Sequence, residues 1–441
     1  MFRSAKTKFV AIALLLAGSF GGQAWAVDIK TVTSPGGVKA LLVEDYTVPL
    51  IAMSFSFKGG SVQDDEGREG TAELLTTMLD EGAASRDSQQ LQEALDDAGL
   101  SYSFSASNDD FSGSVKTIVE DRDAGFALLK DMLTAPRFDE EPLGRMKAAL
   151  SNQLRQQETN PQAVAGKATR EMIYGDHPYG RPSNGTLETV AAITADDLRV
   201  YHERIFARSN LTVGVVGAIS KDELKVMLDE VFGDLPANAQ LQPVSDIEVK
   251  TGEDQHIELD VPQTAISFVL PGLKRDDPDF FAAYLVNHVL GGGSFESRLY
   301  EEVREKRGLA YGVGVSLSTR DHVGLIGGGS ATRSDRAQTT IDVIEGEIAR
   351  MAEEGPTAAE LEKARAYIKG SYAINNLDTS GKIAGVLVAI QDSDLGIDYI
   401  DRRSDYIDAV TLEDAKRVAK ELYSADPTFV TVGGPLEQPS N

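Results

Sequence analysis

Cysteine is absent from the chain. Disulfides, thiolate metal sites and cysteine nucleophiles are excluded together. Histidine is scarce. The five are His177, His202, His256, His288 and His322, and no two stand four apart, as a pair of metal ligands on one helix face requires. Positive charge is short as well: 43 Lys and Arg against 69 Asp and Glu leave a net charge of -26. Such a surface repels a phosphate backbone, so nucleic acid is not an expected partner. No G-x-S-x-G is present, and no G-K-[ST] follows the triple glycine Gly291 to Gly293, which removes the common serine hydrolase and phosphate-loop readings.

What is there begins with a leader. Arg3, Lys6 and Lys8 precede an apolar run from Phe9 to Leu16, and Ala24-Trp25-Ala26 follows. A basic start, a short apolar stretch and a small-x-small end describe a secretory signal peptide, cut after Ala26. No later stretch is long and apolar enough to span a bilayer. The expected product is an exported, periplasmic protein without a membrane span.

The mature chain reads as a duplication. Gly99 to Ser107 and Gly308 to Ser316 share a pattern in which large residues alternate with small ones: Leu100, Tyr102 and Phe104, then Leu309, Tyr311, Val313 and Val315. Period two means a strand with one packed face, which places Tyr311 on that face. In each copy the leading glycine follows a helical stretch that it would end. Val213 to Gly217 is echoed by Thr428 to Gly433, and a helix around Pro142 to Gln157 by one around Ala358 to Tyr372. A period near 210 residues is too long for a solenoid and means duplicated domains. The expected layout is a first domain over 27–235, a polar linker over 236–249 and a second domain over 250–441. Each is expected to be α+β, a mainly antiparallel sheet with helices on one face.

Several segments together resemble the pitrilysin, or insulinase-type, zinc metallopeptidases, in particular the members related to mitochondrial processing peptidase. One runs from His177-Pro-Tyr-Gly-Arg-Pro182 through Gly185-Thr186, Ile193-Thr194 and Asn210-Leu211 to Val216-Gly217. A second and more specific one runs from Gly291-Gly-Gly-Ser-Phe295 through Ser297-Arg298-Leu299 to Glu302 and Tyr311. The resemblance implies a helix carrying H-x-x-E-H, with two zinc-binding histidines one turn apart and a glutamate general base between them. It also implies a distal glutamate ligand about 75 residues on.

Here the matching helix follows Gly70 and buries Leu74, Leu75, Met78 and Leu79. Glu73 and Thr77 stand at the histidine positions, Thr76 at the general base and Gln153 at the distal ligand. A neutral hydroxyl and an amide are poor zinc ligands, so no cofactor is expected on this chain. Glu73 reads as a solvated helix carboxylate.

The same resemblance implies an arginine and a tyrosine, seven residues apart in the second half, that bind substrate opposite the zinc site. Arg304 and Tyr311 keep that spacing. The plainer reading makes Tyr311 core and Arg304 one more charge on an exposed helix face. The first-half counterparts are Tyr102 and Leu95, so only the second half has the pair. Gly291, Gly292 and Gly293 read either as a substrate-contacting loop or as a tight turn between helices. His177 and His202 read as structural.

The expected function is a non-catalytic subunit of a zinc peptidase. A homologous partner chain would carry the zinc, and the shared ligand would be a peptide. The alternative is a peptide-binding or assembly protein with no role in hydrolysis.

Overall fold

The computed structural model describes residues 28–436, so the expected leader lies outside the described residues. Thirteen strands carry the frame: β1 (Ile29–Thr33), β2 (Lys39–Glu44), β3 (Leu50–Lys58), a small ribbon of β4 (Gly82–Ala83) and β5 (Arg86–Asp87), β6 (Ser101–Ala106), β7 (Asp110–Ile118), β8 (Leu211–Gly217), β9 (Gln255–Glu258), β10 (Gln263–Pro271), β11 (Ala310–Arg320), β12 (Val323–Arg333) and β13 (Thr428–Gly433). The first large sheet has the order β1-β2-β8-β3-β7-β6, the second β11-β12-β10-β13-β9. All pairings in them are antiparallel except β2 with β8 and β13 with β9. Each half is therefore α+β with a mainly antiparallel sheet.

The repeat is visible in single contacts. Phe55 of β3 pairs with Gly113 of β7, and Phe268 of β10 pairs with Gly328 of β12. Each phenyl ring fills the space that a side chain on the facing glycine would need. A Cβ there would lie 2.2 Å from Phe55 Cζ and 2.1 Å from Phe268 Cζ. Gly99 and Gly308 both take left-handed backbone, with φ of 55° and 58°, at the end of a helical stretch, where a Cβ would be strained. The helices Glu140–Glu158 and Ala358–Asn376 are each 19 residues long.

Helices of each half bury their apolar stripes against one sheet face, as the sequence implies. The opposite faces carry an addition, because the halves exchange helices across them. The first-half helix Pro161–Tyr174 sets Ala165 and Ala168 on Ala265, Val430 and Val432 of the second sheet. In return, the second-half helix Ser380–Asp392 sets Ala384 and Leu387 on Leu41 and Val216 of the first. The approach is close enough that a Cβ on Gly214 would lie 2.4 Å from the Ala384 carbonyl oxygen.

The β11–β12 turn reaches into the first half as well. Tyr179 is fully buried. Its hydroxyl donates to Asp109 Oδ1 at 2.6 Å and accepts from the His322 amide at 3.1 Å. Lys58 Nζ lies 3.2 Å from Asp110 and 3.1 Å from Asp321. The polar segment before residue 250 is likewise pinned rather than free. Val244, Ile247 and Val249 pack at this junction, and Gln63 exchanges two hydrogen bonds with Gln242.

Candidate functional site

The first-half positions lie on two packed helices, Thr71–Thr76 and the longer Glu140–Glu158. The buried Asp64 carboxylate starts the shorter helix, accepting from the Gly70 amide at 2.8 Å and the Ala72 amide at 2.9 Å. Leu74, Leu75, Met78 and Leu79 are buried as expected. The helix itself is shorter than its apolar stripe, because regular turns stop at Thr76. There the side chains bond backward: Thr76 Oγ1 donates to the Glu73 carbonyl at 2.7 Å and Thr77 Oγ1 to the Leu74 carbonyl at 2.9 Å. Such bonds compete with helix continuation. Both hydroxyl protons are therefore committed within the helix.

Glu73 is half-buried rather than solvated, which corrects the sequence expectation. Burial raises its pKa. Gln153 sits on the exposed side of its helix. Among the described residues, no group of three or more His, Asp or Glu side chains is placed to hold a metal ion.

The second-half positions gather around β11. The glycines continue the Phe280–Asn287 helix through a wide π-type turn at His288–Gly292. Gly291 is a contact point, since a Cβ on it would lie 3.0 Å from Leu299 Cδ1 and from Val315. Gly292 is exposed. Together Gly291 and Gly292 border a cavity of about 560 Å³ floored by Gly314, Gly327 and Gly329. Gly293 lies against the His288 carbonyl.

Arg304 is half-buried on a second wide turn, Tyr300–Glu305. Its Nη1 donates to the Tyr300 hydroxyl, and its guanidinium lies 4.9 Å from the Tyr300 ring centre and 6.0 Å from that of Phe295. Phe295 is 72% exposed. Other charges of this run are structural. The buried Arg298 grips Glu360 with two bonds of 2.7 and 2.8 Å and donates to the Gly355 carbonyl. Glu302, also buried, accepts from Lys306 at 2.7 Å and from Arg307.

Tyr311 overturns the expectation from periodicity. It is 88% exposed. Ala310 pairs with Thr332 but Val313 pairs with Ser330, so three steps on β11 match two on β12. This β-bulge takes Tyr311 out of the alternation that packs Val313 and Val315. The ring borders a second cavity, of about 510 Å³, between the outer face of the sheet and Gln162, Ala165 and Gly166 of the exchanged helix. The two cavities share Ser267, Gly328 and Gly329, so Tyr311 and the glycine turn open onto one glycine-floored sheet face. Arg304 lines neither cavity.

Tyr102 behaves differently. It packs against the first-half core and donates to Asp80 Oδ2 at 2.9 Å. Burial and then the Asp80 charge push its phenol up to about 12. The two histidines are structural. His177 Nδ1 accepts from the Tyr179 amide while Nε2–H donates to the Ser245 carbonyl. His202 stacks on Phe206 and donates to the Leu133 carbonyl.

The described helices include none long and apolar enough to cross a membrane. Two family models match the chain, one described as insulinase (peptidase family M16) over residues 39–187 and one as the peptidase M16 inactive domain over residues 192–368. A Bacillus subtilis protein named as an uncharacterized zinc protease is 25% identical over 414 residues, covering 93% of this chain and 100% of that one. A Helicobacter pylori protein named as a non-peptidase homolog is 25% identical over 374 residues, covering 84% and 86%. Among solved structures, the peptidase M16 inactive domain from Pseudomonas fluorescens superimposes with a TM-score of 0.88 at 27% identity, over 93% of this chain and 99% of that one. A protease from Helicobacter pylori shares the fold, with a TM-score of 0.82 at 18% identity over 92% and 99%. Since the two family models together cover well over half of the sequence, the chain belongs to the insulinase-type M16 peptidase family.

Proposed function

We propose that the chain is a non-catalytic subunit of a periplasmic zinc peptidase, working with a homologous partner that carries the intact zinc motif. The observation that carries this reading is Tyr311. A large aromatic hydroxyl stands in solvent over a glycine-floored cavity, on a strand whose own pattern would have buried it. The altered helix of the first half supports the same division of labour, since Thr76 and Thr77 spend their hydroxyls on the backbone. So does the relative named as a non-peptidase homolog.

Zinc on the partner would polarise the peptide carbonyl and activate water. This chain would hold the peptide extended along an edge strand. β11, eleven residues long, is one such edge. Tyr311 would donate to the carbonyl oxygen as negative charge develops, with Arg304 as a second donor.

The test is to mix the purified chain with a metal-competent homologue. The expected result is a complex with raised turnover, reduced about 100-fold by Tyr311→Phe or Arg304→Ala with no change in melting temperature. Mixing that changes neither activity nor complex mass removes the reading. The bracketing of Arg304 by Tyr300 and Phe295 favours a second reading, peptide binding or assembly without hydrolysis. Peptide binding that stimulates no partner would select it.

A further inference from the structure

We propose that the pocket between the Glu140–Glu158 helix, the Pro161–Tyr174 helix and the 182–187 segment binds a carboxylate, with Arg170 and Lys167 as its cationic ligands. The cavity measures about 320 Å³ and opens on the opposite side of the exchanged helix from Tyr311's. It is distinct from the positions that the zinc motif and the Arg304–Tyr311 pair occupy.

Arg170 is out of balance with its surroundings. The chain has 69 acidic side chains for 43 basic ones, and its arginines are in general held by carboxylates, carbonyls or rings. Arg170 makes no hydrogen bond or ion pair among the described residues, although its Nε is shielded from solvent. A guanidinium has five donors in a planar fork, and leaving a shielded one unmet is costly. Burial lowers its pKa, a penalty that an incoming anion would relieve. One turn further on, Tyr174 is only 6% exposed and its hydroxyl also lacks a partner. One turn earlier, Lys167 lines the same cavity. Its nearest carboxylate, Glu171, is 3.9 Å away and both side chains are exposed, so the ammonium is available.

The charge balance names the ligand class. Arg170 and Lys167 face Glu158 across the cavity, and with Glu171 and Arg320 close enough to act on them three cations stand against two carboxylates, which leaves a single excess positive charge. That suits a monoanion better than a phosphate dianion. A guanidinium fork meets a carboxylate in two parallel hydrogen bonds. Leu154 and Leu187 supply apolar wall, so the cavity fits the end of a peptide, or an acidic side chain on one. Only this choice of a peptide as the source rests on the subunit reading above.

The experiment uses the purified full chain without a partner, followed by titration calorimetry. Four probes are compared: alanyl-alanine, its C-terminal amide, N-acetylglutamate amide and inorganic phosphate. Alanyl-alanine or N-acetylglutamate amide is expected to bind about tenfold more tightly than the neutral amide and to weaken with added salt. Whichever of the two binds identifies the source of the carboxylate. Arg170→Met should weaken binding about tenfold, with Arg170→Lys between it and the parent because charge remains but the fork is lost. If Arg170→Met does not fold, the exposed Lys167→Gln decides, with a loss of roughly threefold.

The proposal is overturned if no carboxylate probe binds, if the variants bind like the parent, or if phosphate binds more tightly than either carboxylate. Its fate is separable from that of the subunit reading. Carboxylate binding without stimulation of a zinc-bearing partner would leave the pocket standing and remove the subunit. Stimulation without carboxylate binding would do the reverse.

Discussion

Tyr102 and Tyr311 occupy matching places in the two halves of the molecule, on β6 and β11, the edge strands of their sheets. The first is turned to the core and tied to Asp80. The second stands in solvent over a cavity. Around them the halves are closely alike, down to a phenylalanine laid against a glycine in each sheet. The difference is one extra residue in β11. Duplication preserved the architecture, and a single bulge changed which side of the sheet a tyrosine serves.

The strongest challenge to this likeness is to fill the glycine under each phenylalanine. Gly328→Ala and Gly113→Ala would each place a methyl group about 2 Å from a ring carbon, and overpacking of this kind costs about 3 kcal/mol. Urea unfolding of the two variants should show similar losses, each partly restored by pairing with Phe268→Leu or Phe55→Leu. A loss in only one half would show that the two packings are not equivalent.

A second prediction separates the halves by pH. His202 belongs to the first half, where burial, opposed by the bond to the Leu133 carbonyl, lowers its pKa to about 4. A depressed folded-state value means that the stabilising contribution is complete above the unfolded value of about 6.5 and is lost as pH falls through 6.5 towards 4. The loss should reach about 3 kcal/mol, and amides of the first sheet should exchange before those of the second. His202→Phe should flatten this dependence, and equal acid sensitivity of both sheets would contradict it.

The smallest expected effect concerns the tyrosines themselves. Tyr102→Phe removes a hydrogen bond to a charged group and should lower stability by about 1.5 kcal/mol. Tyr311→Phe should stay within about 0.5 kcal/mol. Thermal denaturation of both variants decides whether the tyrosines have diverged as their surroundings indicate.

Much of the architecture was legible along the chain. Alternation marked β6 and β11, glycines marked the helix ends at Gly99 and Gly308, and the offset between copies disclosed two similar sheets. The altered zinc-motif positions, Glu73, Thr76, Thr77 and Gln153, are named through the family resemblance and the residue types that stand there. The direction of Tyr311 could not. Leu309, Tyr311, Val313 and Val315 alternate without a break in the sequence, and the bulge exists only in the pairing with β12. Arg170 was hidden for a related reason. Beside Glu171 it reads as an ordinary solvated helix charge, and its surroundings are set by the 182–187 segment and the end of the Glu140–Glu158 helix packed beside it.

Periodicity and glycine placement are local properties, so strands and helix ends can be read from neighbours in the chain. Exposure and partnership depend on what comes to lie opposite. For Tyr311 that is the register of β12, and for Arg170 it is the 182–187 segment and the end of the Glu140–Glu158 helix. Both are set by long-range packing, and no periodicity along the chain records it.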